Sequence, residues 1–134
     1  MANSKDPYRG LDPEFRRKLS AFEQRLLDQD IWVKLTCGYR SIEEQNRLYA
    51  RGRTTPGRIV TNARGGCSWH NFGLAADYVF LVNGKVSWDG PWEKFGRIAR
   101  ECGLEWGGDW KRFRDRPHVQ WRKGRTLRGM RASE

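Results

Sequence analysis

Histidine is scarce in this chain, with two among 134 residues, so any chemistry that needs an imidazole must use His70, His118 or both. Cysteine is nearly as sparse. Cys37, Cys67 and Cys102 are odd in number and widely spaced, which argues against a disulfide framework and predicts reduced thiols in a product made in the cytoplasm. No apolar run approaches the ~20 residues that a bilayer-spanning helix needs. The start, MANSKDPYRG, lacks the apolar stretch of a signal peptide, so the sequence predicts cytoplasmic synthesis and no transmembrane segment. Acidic residues are in deficit, 16 Asp and Glu against 26 Lys and Arg, for a net charge of +10. Such a surface is drawn to acidic polymers or anionic membrane faces. No zinc-finger, homeodomain or RNA-recognition signature accompanies the charge, so no specific nucleic-acid partner is expected.

What the chain has in quantity is large rings, including seven tryptophans, enough to build a core and to line a cleft. Its length suits one domain with one modest core, and monomer is the default state. Asp12 and Pro13 read as an N-cap and first-turn proline, with Phe15, Leu19, Phe22 and Leu26 at helical spacing behind them. A helix over 13–28 follows. Ile31 to Thr36 alternates and is β-branched, a strand ending at Gly38. Ser41 and Glu44 form a capping-box pattern opening a second helix to Ala50. From Gly52 to Asn71 no period appears, which predicts a long ordered loop. Asp77 to Val82 reads as a strand turned by Asn83-Gly84 into an antiparallel partner. Trp92, Phe95, Ile98, Ala99 and Cys102 mark a helix stopped by Gly103, and His118 to Trp121 a short strand after Pro117. The fold class is therefore α+β: one compact domain with a small antiparallel sheet and flanking helices. Residues 1–11 read as an N-terminal arm, 12–121 as the domain, and 122–134, with few apolar side chains, as a basic mobile tail.

Each histidine lies near a carboxylate in a turn-rich segment, SWHNFGLAAD and DRPHVQW. A hydrolytic zinc site takes three His or carboxylate ligands and keeps one position open for water. His70, Asp77 and His118 supply such a set if Gly73 folds His70 back beside Asp77 and the two strands are neighbours. Asp115, three positions before His118 with Pro117 between, is then placed to accept a proton without being a ligand. A lone histidine is more often a surface or core residue than a ligand, so the weight rests on the joint pattern. Cys67, in a C-x-x-H pair with His70, is a poor ligand candidate, because a fourth protein ligand would close the open position.

GYRSIEEQNRLYARGRTTPGRIVTNARGG, SWHNFGLAAD, LEWGGDW and DRPHVQW together resemble the L-alanyl-D-glutamate endopeptidases of phage endolysins and related bacterial wall enzymes. The wider group of zinc peptidases includes lysostaphin-type and D-alanyl-D-alanine peptidases and the Sonic hedgehog signalling domain. The resemblance spans about residues 12 to 121. It implies a zinc site on the sheet with His70, Asp77 and His118 as ligands, Asp115 as catalytic base, and Arg40 steadying the oxyanion. It also implies that Gln45 and Ser68 line the substrate cleft. Without it, Arg40 reads as a surface partner of Glu43 or Glu44; Trp69, Trp106, Trp110 and Trp121 read as core even with it, with room for one or two to edge the cleft. Cys37 stands where many relatives have Ser, and Cys67 where Gln is common.

The function so implied is cleavage of the L-alanyl-D-glutamate bond in bacterial peptidoglycan, with Zn2+ as cofactor and the basic surface suited to an acidic envelope. The protein would act on the wall after another agent opens the membrane. A D-alanyl-D-alanine carboxypeptidase would present a similar metal site. A noncatalytic zinc-stabilised binding domain is disfavoured by the presence of Asp115 and Arg40, and a nucleic-acid binder ranks lower still.

Overall fold

A computed structural model describes residues 6–132. The first helix, α1 (Pro13–Asp28), starts where its cap requires: Asp12 accepts from the Phe15 amide at 3.0 Å, with Pro13 in the first turn. Its apolar face, Phe15, Leu19, Phe22 and Leu26, is fully buried. At about 1.5–3 kcal/mol for each such side chain, this face anchors the domain.

The strands are β1 (Val33–Cys37), β2 (Ala75–Val82), β3 (Lys85–Ser87), β4 (Glu105–Trp106) and β5 (His118–Gln120). They form one antiparallel sheet in the order β1-β2-β5-β4, with β3 pairing the far end of β2. The β2–β3 turn places Asn83 and Gly84 at φ 53° and 77°, as the Asn-Gly pair predicts. Strand β4 was not anticipated: two residues are too short to show a period.

Side chains alternate across β2. Tyr78 and Phe80 face α1 and the helix α3 (Trp92–Glu101), where Tyr78 meets Phe22 and Phe95 edge-on at 5.7 and 5.9 Å and Phe80 meets Phe95 at 6.0 Å. Asp77 points to the opposite face, the face that carries the candidate site. Its direct partner across the β2–β5 ladder is His118, and Gln120 follows two residues later on the same side.

Helix α2 (Ile42–Ala50) begins at Ser41, whose hydroxyl accepts from the Glu44 amide at 3.0 Å. The long segment after it is ordered by side chains rather than by a ladder. It ends in a 3₁₀ turn, Trp69–Phe72, at the close of the span expected as loop: Ser68 and Asn71 form a capping box and Gly73 closes the turn at φ 70°. A Cβ on Gly73 would come within 2.5 Å of the Gly10 carbonyl oxygen, so only glycine fits.

Both ends of the described segment pack more closely than composition suggests. Tyr8 and Leu11, in the expected arm, join the core, while residues 1–5 lie outside the described residues. Beyond β5, Leu127–Ala132 form a short helix, α4, in place of the expected tail. Leu127 and Met130 pack on the core and Arg131 donates to the Gly66 carbonyl at 3.0 Å. Two apolar side chains one turn apart suffice to dock a single helical turn. Residues 133–134 lie outside the described residues. No helix of the described chain is long and apolar enough to cross a membrane.

Candidate metal centre

Three elements bring the two histidines to Asp77. The 3₁₀ turn presents His70, whose Nε2 lies 3.4 Å from Asp77 Oδ2. From β5, His118 sets Nδ1 3.0 Å from Asp77 Oδ1. One carboxylate thus spans both imidazoles, whose ring centroids are 5.2 Å apart.

The remaining ring nitrogens are anchored behind them. His70 Nδ1 meets the Gly38 carbonyl at 2.7 Å, and His118 Nε2 meets Gln120 Oε1 at 2.7 Å. The Gly38 carbonyl and the Gln120 side-chain oxygen each accept an N–H from the ring, so the other nitrogen of each histidine is the one that faces Asp77. This outer support is characteristic of ligating histidines. Gln120 was not singled out from sequence. Its signal was present, because residues i and i+2 on a strand share a face.

Charge in the site is arranged to receive a cation. Burial opposes ionisation of Asp77, but hydrogen bonds from His118 and His70 and their charges hold its carboxyl well below the usual carboxylate range. Burial likewise disfavours a charged His70, yet hydrogen bonds with Asp77 and Cys37 push its pKa up to about 10. A site that draws a proton onto a buried imidazole favours positive charge there, and a metal competes for the same lone pair. The donor set, two imidazoles and one carboxylate with an open side, therefore fits zinc.

Asp115 stands on that open side, 3.9 Å from His118 Nδ1. Burial and the negative charge of Asp77 raise its pKa. Donor atoms of Asp77, Asp115 and His118 lie within 4.8 Å of one another, and so do those of Cys37, His70 and Asp77. Cys37 nonetheless faces the wrong edge of the ring, with its sulfur 3.9 Å from His70 Nδ1 while Nε2 turns to Asp77. Cys67 lines the cleft but joins neither donor cluster.

The cleft over these groups measures about 400 Å³ and is lined by Arg40, Thr61, Ser68, Trp110 and Arg122 besides the site residues. Arg40 is held by two acceptors, Gln45 Oε1 at 2.9 Å and Cys37 Sγ at 3.1 Å. No acidic residue of α2 takes the Arg40 guanidinium; Glu44 pairs with Arg47 instead. Ser68 lines the cleft and caps the turn that carries His70, accepting from its amide at 3.2 Å.

Gln45 departs from expectation. It is fully buried behind the cleft, where its amide donates to the Ala63 carbonyl at 2.8 Å and its oxygen holds Arg40. A side chain with both ends satisfied by protein shapes the cleft wall without lining it. The tryptophans divide. Trp106 is core, Trp121 is half-buried against the core, and Trp110 enters the cleft with its ring 5.2 Å from that of His118. Trp69 does both, being buried and lining the cleft. Asn71, also buried, donates to the Arg40 carbonyl at 2.9 Å and accepts from the Gly66 amide at 2.9 Å, tying the histidine turn to the arginine segment.

Comparisons with known proteins agree with this geometry. A family model described as D-alanyl-D-alanine carboxypeptidase matches residues 61–121, the segment that holds all three proposed ligands and Asp115. The peptidoglycan L-alanyl-D-glutamate endopeptidase CwlK of Bacillus subtilis (strain 168) is 41% identical over 121 residues, covering 82% of this chain and 72% of that enzyme. The L-alanyl-D-glutamate peptidase of Listeria phage A118 is 40% identical over 57 residues, 40% of this chain and 20% of that protein. Among solved structures, the Serratia marcescens L-Ala D-Glu endopeptidase ChiX superposes with a TM-score of 0.60 at 31% identity, covering 86% of this chain and 83% of that one. With identity and fold agreeing across most of both chains, this protein belongs to the family of peptidoglycan L-alanyl-D-glutamate endopeptidases.

Proposed function

We propose that this chain is a zinc peptidase that hydrolyses the L-alanyl-D-glutamate amide of peptidoglycan stem peptides, with His70, Asp77 and His118 as metal ligands. The observation that carries the reading is the single carboxylate of Asp77 meeting both histidines, at 3.0 and 3.4 Å, beneath an open cleft flanked by Asp115. A zinc ion held there would supply an acidified water as nucleophile and an electrophilic contact for the carbonyl oxygen.

Asp115 is placed to take a proton from an attacking water and would return it to the leaving amine. Its raised pKa suits the role, since a base works best with a pKa nearer the operating pH. Arg40 donates to the oxyanion as charge develops on it, with its guanidinium already oriented by Gln45 and Cys37. Preorganised donors of this kind are worth about 10²–10³ in rate. Trp110 and Ser68 shape the walls against which the peptide lies.

Wall degradation of this kind, together with the likeness to a phage peptidase, supports a lytic and antibacterial role as an endolysin that reaches the wall once another agent has opened the membrane. The test is digestion of purified peptidoglycan with and without a chelator, reading fragment masses. New D-glutamate amino termini that disappear on chelation and return with zinc are expected. Release of terminal D-alanine instead would favour a carboxypeptidase, the activity in the matched family's description. Turnover unaffected by exhaustive chelation would remove the metal from the mechanism.

A further inference from the structure

The cleft does not end at Asp115. Past it the surface opens into two branches, one bordered by Val60, Trp110, Phe113 and Arg114, the other by Trp88, Trp92, Arg114 and Arg116. Asp115 borders both branches as well as the central cleft. Arg114 stands on the ridge between them, exposed, and precedes the proposed base directly in the chain. The residue before it, Phe113, is held at φ 55° and is 76% exposed. A bulky side chain in the left-handed region is uncommon and costs about 1–3 kcal/mol. The turn therefore spends stability to aim this segment.

The two arginines of the central cleft are already engaged, and Arg116, whose guanidinium is likewise unpaired among the described residues, borders one branch only whereas Arg114 borders both. Arg40 is bound by Gln45 and Cys37, and Arg122 forks onto both oxygens of Glu105 at 2.9 and 3.2 Å. Among the described residues no ion pair or hydrogen bond engages the Arg114 guanidinium, although it borders the site.

The leaving group supplies a ligand for it. If Asp115 returns the proton, the leaving nitrogen lies beside Asp115, and that nitrogen belongs to D-glutamate. Glutamate has two carboxyl groups, and a stem peptide continues through one of them. The other remains as a free acid or an amide, within a few bonds of the leaving nitrogen and so near the Asp115 side of the cleft, which Arg114 borders. A guanidinium fork matches a carboxylate in two parallel hydrogen bonds and has no such match with a neutral amide.

We infer that Arg114 is a specificity-determining residue that binds the free carboxylate of the D-glutamate on the leaving side, so that the enzyme discriminates stem peptides with a free glutamate carboxyl from those in which it is amidated. This rests on the cleavage site proposed above.

The experiment uses two synthetic stem peptides that differ only in whether that carboxyl is free or amidated. The wild-type enzyme, Arg114→Gln and Arg114→Lys are each assayed for kcat and KM. Wild type is expected to favour the free acid about tenfold in kcat/KM, mainly through KM, with the preference shrinking as salt rises. In Arg114→Gln the preference should fall to near one, and Arg114→Lys should keep part of it, since a lysine is a point charge without the fork. Equal use of both peptides by wild type would overturn the inference, as would a preference that survives in Arg114→Gln. If wild type cuts neither peptide but opens a different bond in whole peptidoglycan, the cleavage assignment fails and the inference falls with it. Equal cutting of both at the expected bond defeats the inference alone.

Discussion

Gln120 accepts a hydrogen bond from Nε2 of His118 at 2.7 Å, two residues back on the same strand. That bond fixes which nitrogen of the ring is left to face Asp77, so the strand carries both a proposed ligand and the group that orients it. Gln120→Leu should therefore weaken zinc affinity by about 10–100-fold without unfolding the protein. Competition with a metallochromic chelator reads the change directly, and affinity equal to wild type would show that the ring needs no such partner.

Asp115→Asn separates binding from chemistry. The amide keeps the shape and loses the basicity, so zinc content should stay at wild-type level while turnover of peptidoglycan falls by about 10²–10⁴. Activity within a few-fold of wild type, with metal retained, would take Asp115 out of proton transfer.

Gln45 sits behind the wall and acts on the cleft through Arg40, the Ala63 carbonyl and the Thr61 hydroxyl. Replacing it with Leu leaves buried polar groups without partners, at a cost of about 1–3 kcal/mol in stability. It should also lower kcat more than it raises KM, because Arg40 loses its orientation for the developing charge. A pure KM effect would return Gln45 to the cleft lining.

Gly96, on the buried face of α3, lies against the Trp106 ring: a Cβ there would come within 2.1 Å of Cε3. Alanine ordinarily improves a helix by about 1 kcal/mol over glycine. Here overpacking should dominate, so Gly96→Ala is expected to lose about 1–3 kcal/mol net. Thermal or urea unfolding checks the sign, and a stabilised variant would mean that the ring moves aside freely.

The hydroxyl of Tyr78, buried under α1, donates to Glu23 at 2.5 Å, and Tyr8 donates to the same carboxylate at 2.9 Å. Burial, then the charge of Glu23, raises the Tyr78 pKa well above its ordinary value. An unfolded tyrosine titrates near about 10. With the folded pKa higher, the contribution is fully present below that pH and is lost as pH climbs through it toward the folded value. The stability advantage of wild type over Tyr78→Phe should hold at about pH 8 and shrink above about pH 10. A difference in urea midpoint that stays constant to about pH 11 would contradict the assignment.

Much of this architecture was readable in the chain. The caps at Asp12 and Ser41, the Asn83-Gly84 turn and the apolar spacing of α1 and α3 are local signals, decided within a few residues of where they act. The two histidines stand out because there are no others, and the motifs around them include Asp77 and Asp115. Less was readable in the segment between Gly52 and Asn71, where order comes from Gln45 and Asn71 bonding to distant backbone rather than from a period.

Only the tertiary structure decided which side chains stand in the cleft and which stand behind it. Gln45 and Trp106 are buried while Trp110 and Arg114 border open space, though composition treats glutamine, tryptophan and arginine alike at each position. Docking of α4 and the pairing of Gln120 with His118 were likewise settled by what lay across from them. The reason is physical: a helix cap or turn is set by neighbours in sequence, whereas burial, partner choice and pKa depend on groups that the chain brings together from 30 to 80 residues apart, such as Cys37 with His70 and Arg25 with Cys102.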